Sequence, residues 1–253
     1  MKALLLAAAA AAVPGLASAA EIRLKDAVAE VTVIPEARSD FAVTVTRNHP
    51  GLPPIRTYRN AGGVVVDGGL ARRISDCGVM GGVKIKNGPR VSKRELPQIV
   101  IRAPLDFSLV AEGYVRGTIG SGRSISLTTE GCGGWTIGDT SQRLDVRLEG
   151  FGDVNAGRAR AATVAMEGMG DVDIASVSGP VDASVEGMGD LRIKAGNASH
   201  FKARLEGMGS IRFDGVAGTV DASAEGMGTI RVARATGAVS KRAEGFSRVR
   251  VGD

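Results

Sequence analysis

Aromatic side chains are scarce in this chain: six Phe, two Tyr and one Trp among 253 residues. A nucleic-acid surface built on stacking and cations needs more than that, and no Lys/Arg run replaces it, so nucleic acid is excluded as a partner. Histidine is scarcer still. His49 and His200 stand at no ligand-like spacing from Cys77 or Cys132, which leaves neither a metal pair nor a His-based triad. A Gly-x-Ser-x-Gly elbow and a phosphate-binding loop are also missing. Beyond the first residues, no apolar stretch approaches the ~20 residues of a spanning helix. No catalytic residue, metal ligand or cofactor site is therefore assigned.

What stands at the start is Met1-Lys2, an Ala/Leu-rich stretch, Pro14-Gly15 and the small-residue run Ala17-Ser18-Ala19-Ala20 before Glu21. This pattern reads as a secretory signal peptide over 1–19, which places the mature chain in the periplasm or, further out, in an extracellular or outer-membrane-associated location. No Cys stands at the cleavage site to carry a lipid anchor. The formal charge of +5 falls to +4 without Lys2, and both signs are interspersed, which suits solubility and a weak attraction to anionic envelope polymers. Two cysteines in an oxidising compartment predict a Cys77–Cys132 disulfide. Closing that loop is worth about 3–4 kcal/mol in the chain-entropy model.

The dominant signal is a repeat. Glu-Gly-Met-Gly recurs at Glu167, Glu186, Glu206 and Glu225, and the frame extends through Glu112, Glu130 and Glu149 and on to Glu244. The steps are 18, 19, 18, 19, 20, 19 and 19 residues. A repeat this short cannot bury its own apolar face, so each coil must lean on the next. Before each Glu, apolar residues alternate: Ile125/Leu127, Leu144/Val146/Leu148, Ala162/Val164/Met166, Val181/Ala183/Val185, Phe201/Ala203/Leu205, Val220/Ala222/Ala224 and Val239/Ala243. Period two means a strand with one buried face. After the glycine corner a second apolar pair follows, from Trp135/Ile137 and Val154/Ala156 to Ile230/Val232 and Val249/Val251; Val177, Val216 and Ala235 are candidates for a short third side.

These features predict an all-β fold, a single-stranded right-handed parallel β-helix with ~19-residue coils over 112–253. At strand spacing, about seven turns make a rod on the order of 35 Å long. Residues 20–111 lack the register but carry short strand signals at Val28–Val33, Phe41–Val45, Val64–Val66 and Ile99–Ile101, and read as irregular, β-rich first turns capping the rod. A separate β-sandwich is the alternative. Lys84 to Arg94 reads as a basic, Gly/Pro-bearing excursion. Val249–Asp253 is half a coil whose open edge invites pairing.

Two outward columns could carry function. The glutamate ladder (Glu112, Glu130, Glu149, Glu167, Glu186, Glu206, Glu225, Glu244) is read as structural, each carboxylate taking N–H groups of its corner and pairing with Arg147, Arg204 or Arg242 two positions upstream. Asp153, Asp171 and Asp190 could add oxygen ligands for calcium, but that column fades to Ser210, Thr229 and Arg248, so no metal is assigned. The residue between the paired glycines gives Cys132, Phe151, Met169, Met188, Met208, Met227 and Phe246. Strict alternation points this column outward as a candidate binding ridge running from Phe151 to Phe246, whereas a corner glycine at positive φ could instead turn it into the core.

Gly-Met-Gly-Asp-Val-Asp-Ile at 168–174 and Gly-Met-Gly-Asp-Leu-Arg-Ile at 187–193 resemble the Gly-Ser-Gly-Asp-Ile repeats of the bacterial auto-transporter adhesin head domain called the GIN domain. The resemblance covers roughly residues 110–251 and implies a secreted or envelope-associated right-handed β-helix. Met or Phe replaces the family's usual Ser, and no membrane barrel is read within these residues. The expected function is a non-enzymatic envelope module, adhesin-like, that binds a protein or glycan, with self-association through open solenoid ends or the Met ridge as a further expectation. A polysaccharide-active β-helix enzyme and a purely architectural module are the alternatives.

Overall fold

The structure, a computed structural model, describes residues 20–71, 73–77 and 82–252. The signal peptide read over 1–19 lies outside the described residues. Stacked parallel strands about 19 residues apart form an all-β solenoid of about 8 turns, with no helix among the described residues. In chain order the strands are β1 (Ala20–Pro35), β2 (Ala42–Arg47), β3 (Arg56–Asn60), β4 (Gly63–Asp67), β5 (Ile74–Asp76), β6 (Gly82–Ile85), β7 (Arg90–Ser92) and β8 (Gln98–Ala103). Then come β9 (Asp106–Ile119), β10 (Gly122–Ile137), β11 (Thr140–Val177), β12 (Val181–Ile193), β13 (Asn197–Ala235), β14 (Val239–Gly245) and β15 (Arg248–Val251).

The repeat frame becomes the strand register. Glu130 pairs with Glu112 on one side and Glu149 on the other, Glu186 with Glu167 and Glu206, and Glu225 with Glu244. The columns read as apolar are buried, from Ile125, Leu127 and Leu144 to Val220, Ala222 and Ala224, as are the second-strand pairs from Trp135/Ile137 to Ile230/Val232. Each large aliphatic side chain so buried stabilises the stack by about 1.5–3 kcal/mol. Where the columns narrow to Ala183, Ala203 and Ala222, Phe201 and Phe213 stack with centroids 5.1 Å apart. On the third side Val177 is buried as expected, but in the later coil Ala217 is buried and Val216 only partly so. In the last coil Val239 and Ala243 are exposed, because no described strand stacks beyond β14.

The eighth turn comes from the start of the chain. β1 lies parallel against β9, with Ile22 beside Leu109 and Val33 beside Ile119. The chain then leaves the stack and lays β4 and β8 on β1, both parallel. It adds β3 and β2 antiparallel outside them and returns at Asp106. One continuous apolar core runs from Ile22 to Val232.

The basic excursion at Lys84 to Arg94 is more ordered than its composition implied. β5, β6 and β7 form a small antiparallel sheet in which Val83, Ile85 and Val91 are buried while Lys84, Lys86 and Arg90 are exposed. Asn87, at φ 54°, and Gly88 supply the turn between β6 and β7. Period-two apolarity across a turn outweighed the Gly/Pro punctuation.

Candidate functional site

The corner between the two main strands decides which way the ridge column points. Gly187, Gly207 and Gly226 have φ of 120°, 122° and 94°, a region that favours glycine. A Cβ on Gly207 would sit 2.5 Å from the Gly187 carbonyl oxygen, so consecutive corners touch backbone to backbone. No side chain fits at these glycines, and the residue between them projects into solvent. Phe151, Met169, Met188, Met208, Met227 and Phe246 are 43%, 40%, 46%, 46%, 57% and 86% exposed. By contrast Met166, three residues before Met169, is buried.

The column starts earlier than the methionine pattern shows. Tyr114 pairs with Cys132, and Cys132 with Phe151. Tyr114 is only 5% exposed because the small sheet covers it: Val83, Ile85, Val91, Leu70, Leu96 and Val28 cluster around its ring. The disulfide Cys77–Cys132, with Cα atoms 6.0 Å apart, fastens that cover to the second position of the column. Tyr114 follows Glu112 by two residues, the same offset that marks every other ridge residue, so the glutamate frame alone would have found it.

The glutamates flank the ridge, and their environments differ along the rod. The Arg23 Nη1 donates to Glu112 at 2.5 Å; Arg147 donates to Glu149 at 2.5 Å and to Glu167 at 2.7 Å; Arg242 lies 3.9 Å from Glu244. The Glu149 hydrogen bond, with Glu167 beside it, raises the Arg147 guanidinium above its ordinary pKa. Arg204 makes no such pair. Among the described residues Glu130, Glu186, Glu206 and Glu225 have no ion-pair or side-chain hydrogen-bond partner, although Glu130 feels the charge of Arg23, and no ladder carboxylate accepts an N–H of its own glycine corner. Neighbouring like charges at strand spacing repel by about 1 kcal/mol even in water, so this stretch carries uncompensated repulsion.

On the other flank the Asp column is tied into the backbone. Asp153 accepts the N–H of Asp171, Asp171 that of Asp190, and Asp190 the hydroxyl of Ser210. These carboxylates splint neighbouring turns. Among the described residues no group of three or more His, Cys, Asp and Glu is placed to hold a metal ion.

Among the grooves formed by the described residues, two carry groups relevant to glycan chemistry. One is lined by Ser121, Asp139, Thr140, Arg158, Arg160 and Ser176; its single carboxylate, Asp139, accepts both a side-chain and a backbone N–H from Arg158. These bonds, the side-chain one foremost, hold Asp139 below the usual carboxylate range. The other groove contains Glu30, Arg116, Trp135 and Asp153. Glu30 pairs with Arg116, and Gly134 with Asp153, so the two carboxylates sit three strands apart in one column. That is about 14 Å at strand spacing, wider than the ~5–9.5 Å of a glycoside-cleaving pair.

No family model matches the sequence, and no curated protein matches it. Among solved structures the chain is similar to a "putative adhesin" from Bacteroides fragilis, at 16% identity and a TM-score of 0.56, covering 92% of each chain. At that identity the likeness shows the fold. A "putative cell adhesion protein" from Clostridium sporogenes aligns over 94% of each chain at 13% identity, but its TM-score of 0.23 carries no argument. No helix among the described residues is long and apolar enough to cross a membrane.

Proposed function

We propose that this chain is an adhesin-like, non-enzymatic binding module of the cell envelope whose binding face is the outward ridge from Phe151 to Phe246. The observation that carries this reading is the ridge itself: six large apolar side chains, one per turn, exposed beside corner glycines that stack backbone to backbone. Surface apolar residues are ordinarily scattered singly, and a contiguous line of them marks an interaction site. Met adapts its shape to a partner at little cost. The disulfide, the leader-like start at 1–19 and the fold shared with a protein called an adhesin support an extracytoplasmic setting. The wide separation of Glu30 and Asp153 weighs against the polysaccharide-cleaving alternative.

The test is binding of the purified mature protein to immobilised matrix and envelope proteins and to a glycan array, wild type beside M169S/M188S/M208S/M227S. Loss of binding in the variant, at an unchanged melting temperature, supports the ridge. Unchanged binding removes it, and release of cleaved glycan would replace this reading with the enzymatic one.

A further inference from the structure

Glu186, Glu206 and Glu225 stand in successive turns beside Met188, Met208 and Met227, the most exposed methionines of the ridge. The same stretch therefore combines the barest apolar surface with carboxylates that no described cation neutralises. At the covered end of the column the apolar side of such a surface is satisfied in cis, and Glu112 is paired separately by Arg23. There the chain lays its own β6–β7 hairpin on Tyr114, with Val83, Ile85 and Val91 inward and Lys84, Lys86 and Arg90 outward. That cover is an amphipathic segment whose apolar side meets the column while its cations face solvent.

On the reading that the ridge is the binding face, we infer that its bare part takes a cationic amphipathic helix of a partner protein, lying along the rod axis. The apolar stripe of the helix covers the Met column, and its Lys or Arg side chains reach the Glu column. The geometry suits a helix because its pitch of about 5.4 Å brings one anchor per turn to a column that repeats every ~4.8 Å. Five steps from Phe151 to Phe246 span about 24 Å, the length of about 16 helical residues. Met-lined surfaces adapt to such helices, and carboxylates beside them select basic flanks.

Other occupants fit less well. A second copy docked ridge to ridge sets the glutamate columns against each other when the rods run antiparallel, and sets Glu186, Glu206 and Glu225 opposite Asp190, Ser210 and Thr229 when they run parallel; neither arrangement places a cation opposite those glutamates. A soft metal ion would account for the four methionines but not for Phe151 and Phe246, and the property all six share is apolar bulk.

The probe is a fluorescent model peptide of Leu and Lys only, about 16 residues long with leucines at helical spacing, titrated against the full mature chain and followed by anisotropy. Binding should weaken about tenfold in E186Q/E206Q/E225Q, and at least as much in M169S/M188S/M208S/M227S. High salt should weaken the wild type and leave the triple Gln variant nearly unaffected. A Leu/Glu peptide of the same pattern should not bind. If the Gln variant binds like the wild type while the Ser variant does not, the ridge stands and the cationic partner is overturned. Should the Ser variant bind the peptide unchanged, the acidic surface alone is responsible and the inference fails. Wild-type dimers in sedimentation velocity that the Ser variant abolishes would make a second copy the occupant and overturn it likewise. E206Q alone, expected to weaken binding in the same direction, keeps the test open if the triple variant melts early.

Discussion

The two ends of one side-chain column differ in what covers them. Tyr114 and Cys132 lie under a sheet that the chain builds from residues outside the repeat, fastened by a disulfide; Met169, Met188, Met208 and Met227 stand between paired glycines as Cys132 does, and have no cover. The corner cannot be what separates them, because it repeats. A solenoid corner fixes the direction of a side chain, and whether that side chain is buried depends on a nonlocal partner. At the first end the partner is supplied in cis. At the second it is left to another molecule, which is why the bare methionines are read as a binding face rather than as misplaced core.

The comparison depends first on the inward and outward columns being assigned correctly. Val185→Asp buries an unpaired carboxylate among Met166, Ala183 and Leu205 and should cost about 3–5 kcal/mol or unfold the rod. Ser184→Asp, one residue away on the other face, should change stability by no more than about 0.5 kcal/mol. Chemical denaturation of both variants checks this, and equal destabilisation breaks the assignment.

Next, the covered end can be turned into a bare one. Cys77→Ser with Cys132→Ser should lower stability by about 3–4 kcal/mol. Because the sheet over Tyr114 is then held by apolar contacts alone, binding of an apolar dye should also rise above the wild-type level. A double variant with wild-type stability and dye binding would mean that the cover does not depend on its fastening.

The smallest effect lies away from the ridge, at Asp139. Its folded pKa is depressed by Arg158, so the stability it confers is fully present above the ordinary Asp value of about 3.9 and is lost as pH falls through the lower folded value. Asp139→Asn should melt slightly below the wild type at neutral pH, and the gap should close in strong acid. A gap that widens on acidification contradicts the pairing.

The repeating part of this molecule was legible because stacking writes itself into the sequence. Equivalent residues touch one another in neighbouring turns, so Glu167, Glu186 and Glu206 announce their register by spacing, and Leu205 or Ile211 announces its face by alternation. What did not show is nonlocal. β1 pairs with β9 although β2 to β8 intervene, and nothing local in Ile22 or Val31 names Leu109 or Gly117 as partner. The β6–β7 hairpin was hidden by its own charge, since Lys84, Lys86 and Arg90 mask the alternation of Val83, Ile85 and Val91. The direction of the Met column was left open by the sequence because it depends on corner dihedrals and on the 2.5 Å approach of one glycine to the next. The missing glutamate partners at Glu186, Glu206 and Glu225 likewise required coordinates, since Arg204 stands at the offset where Arg147 does pair.

The most direct test of the central claim is oxidation of the folded protein by dilute peroxide, with each methionine read by mass spectrometry. Met169, Met188, Met208 and Met227 should convert to sulfoxide together and early, while the buried Met166 remains unoxidised until the chain unfolds. Four ridge methionines protected as fully as Met166 would place the column in the core and contradict the account.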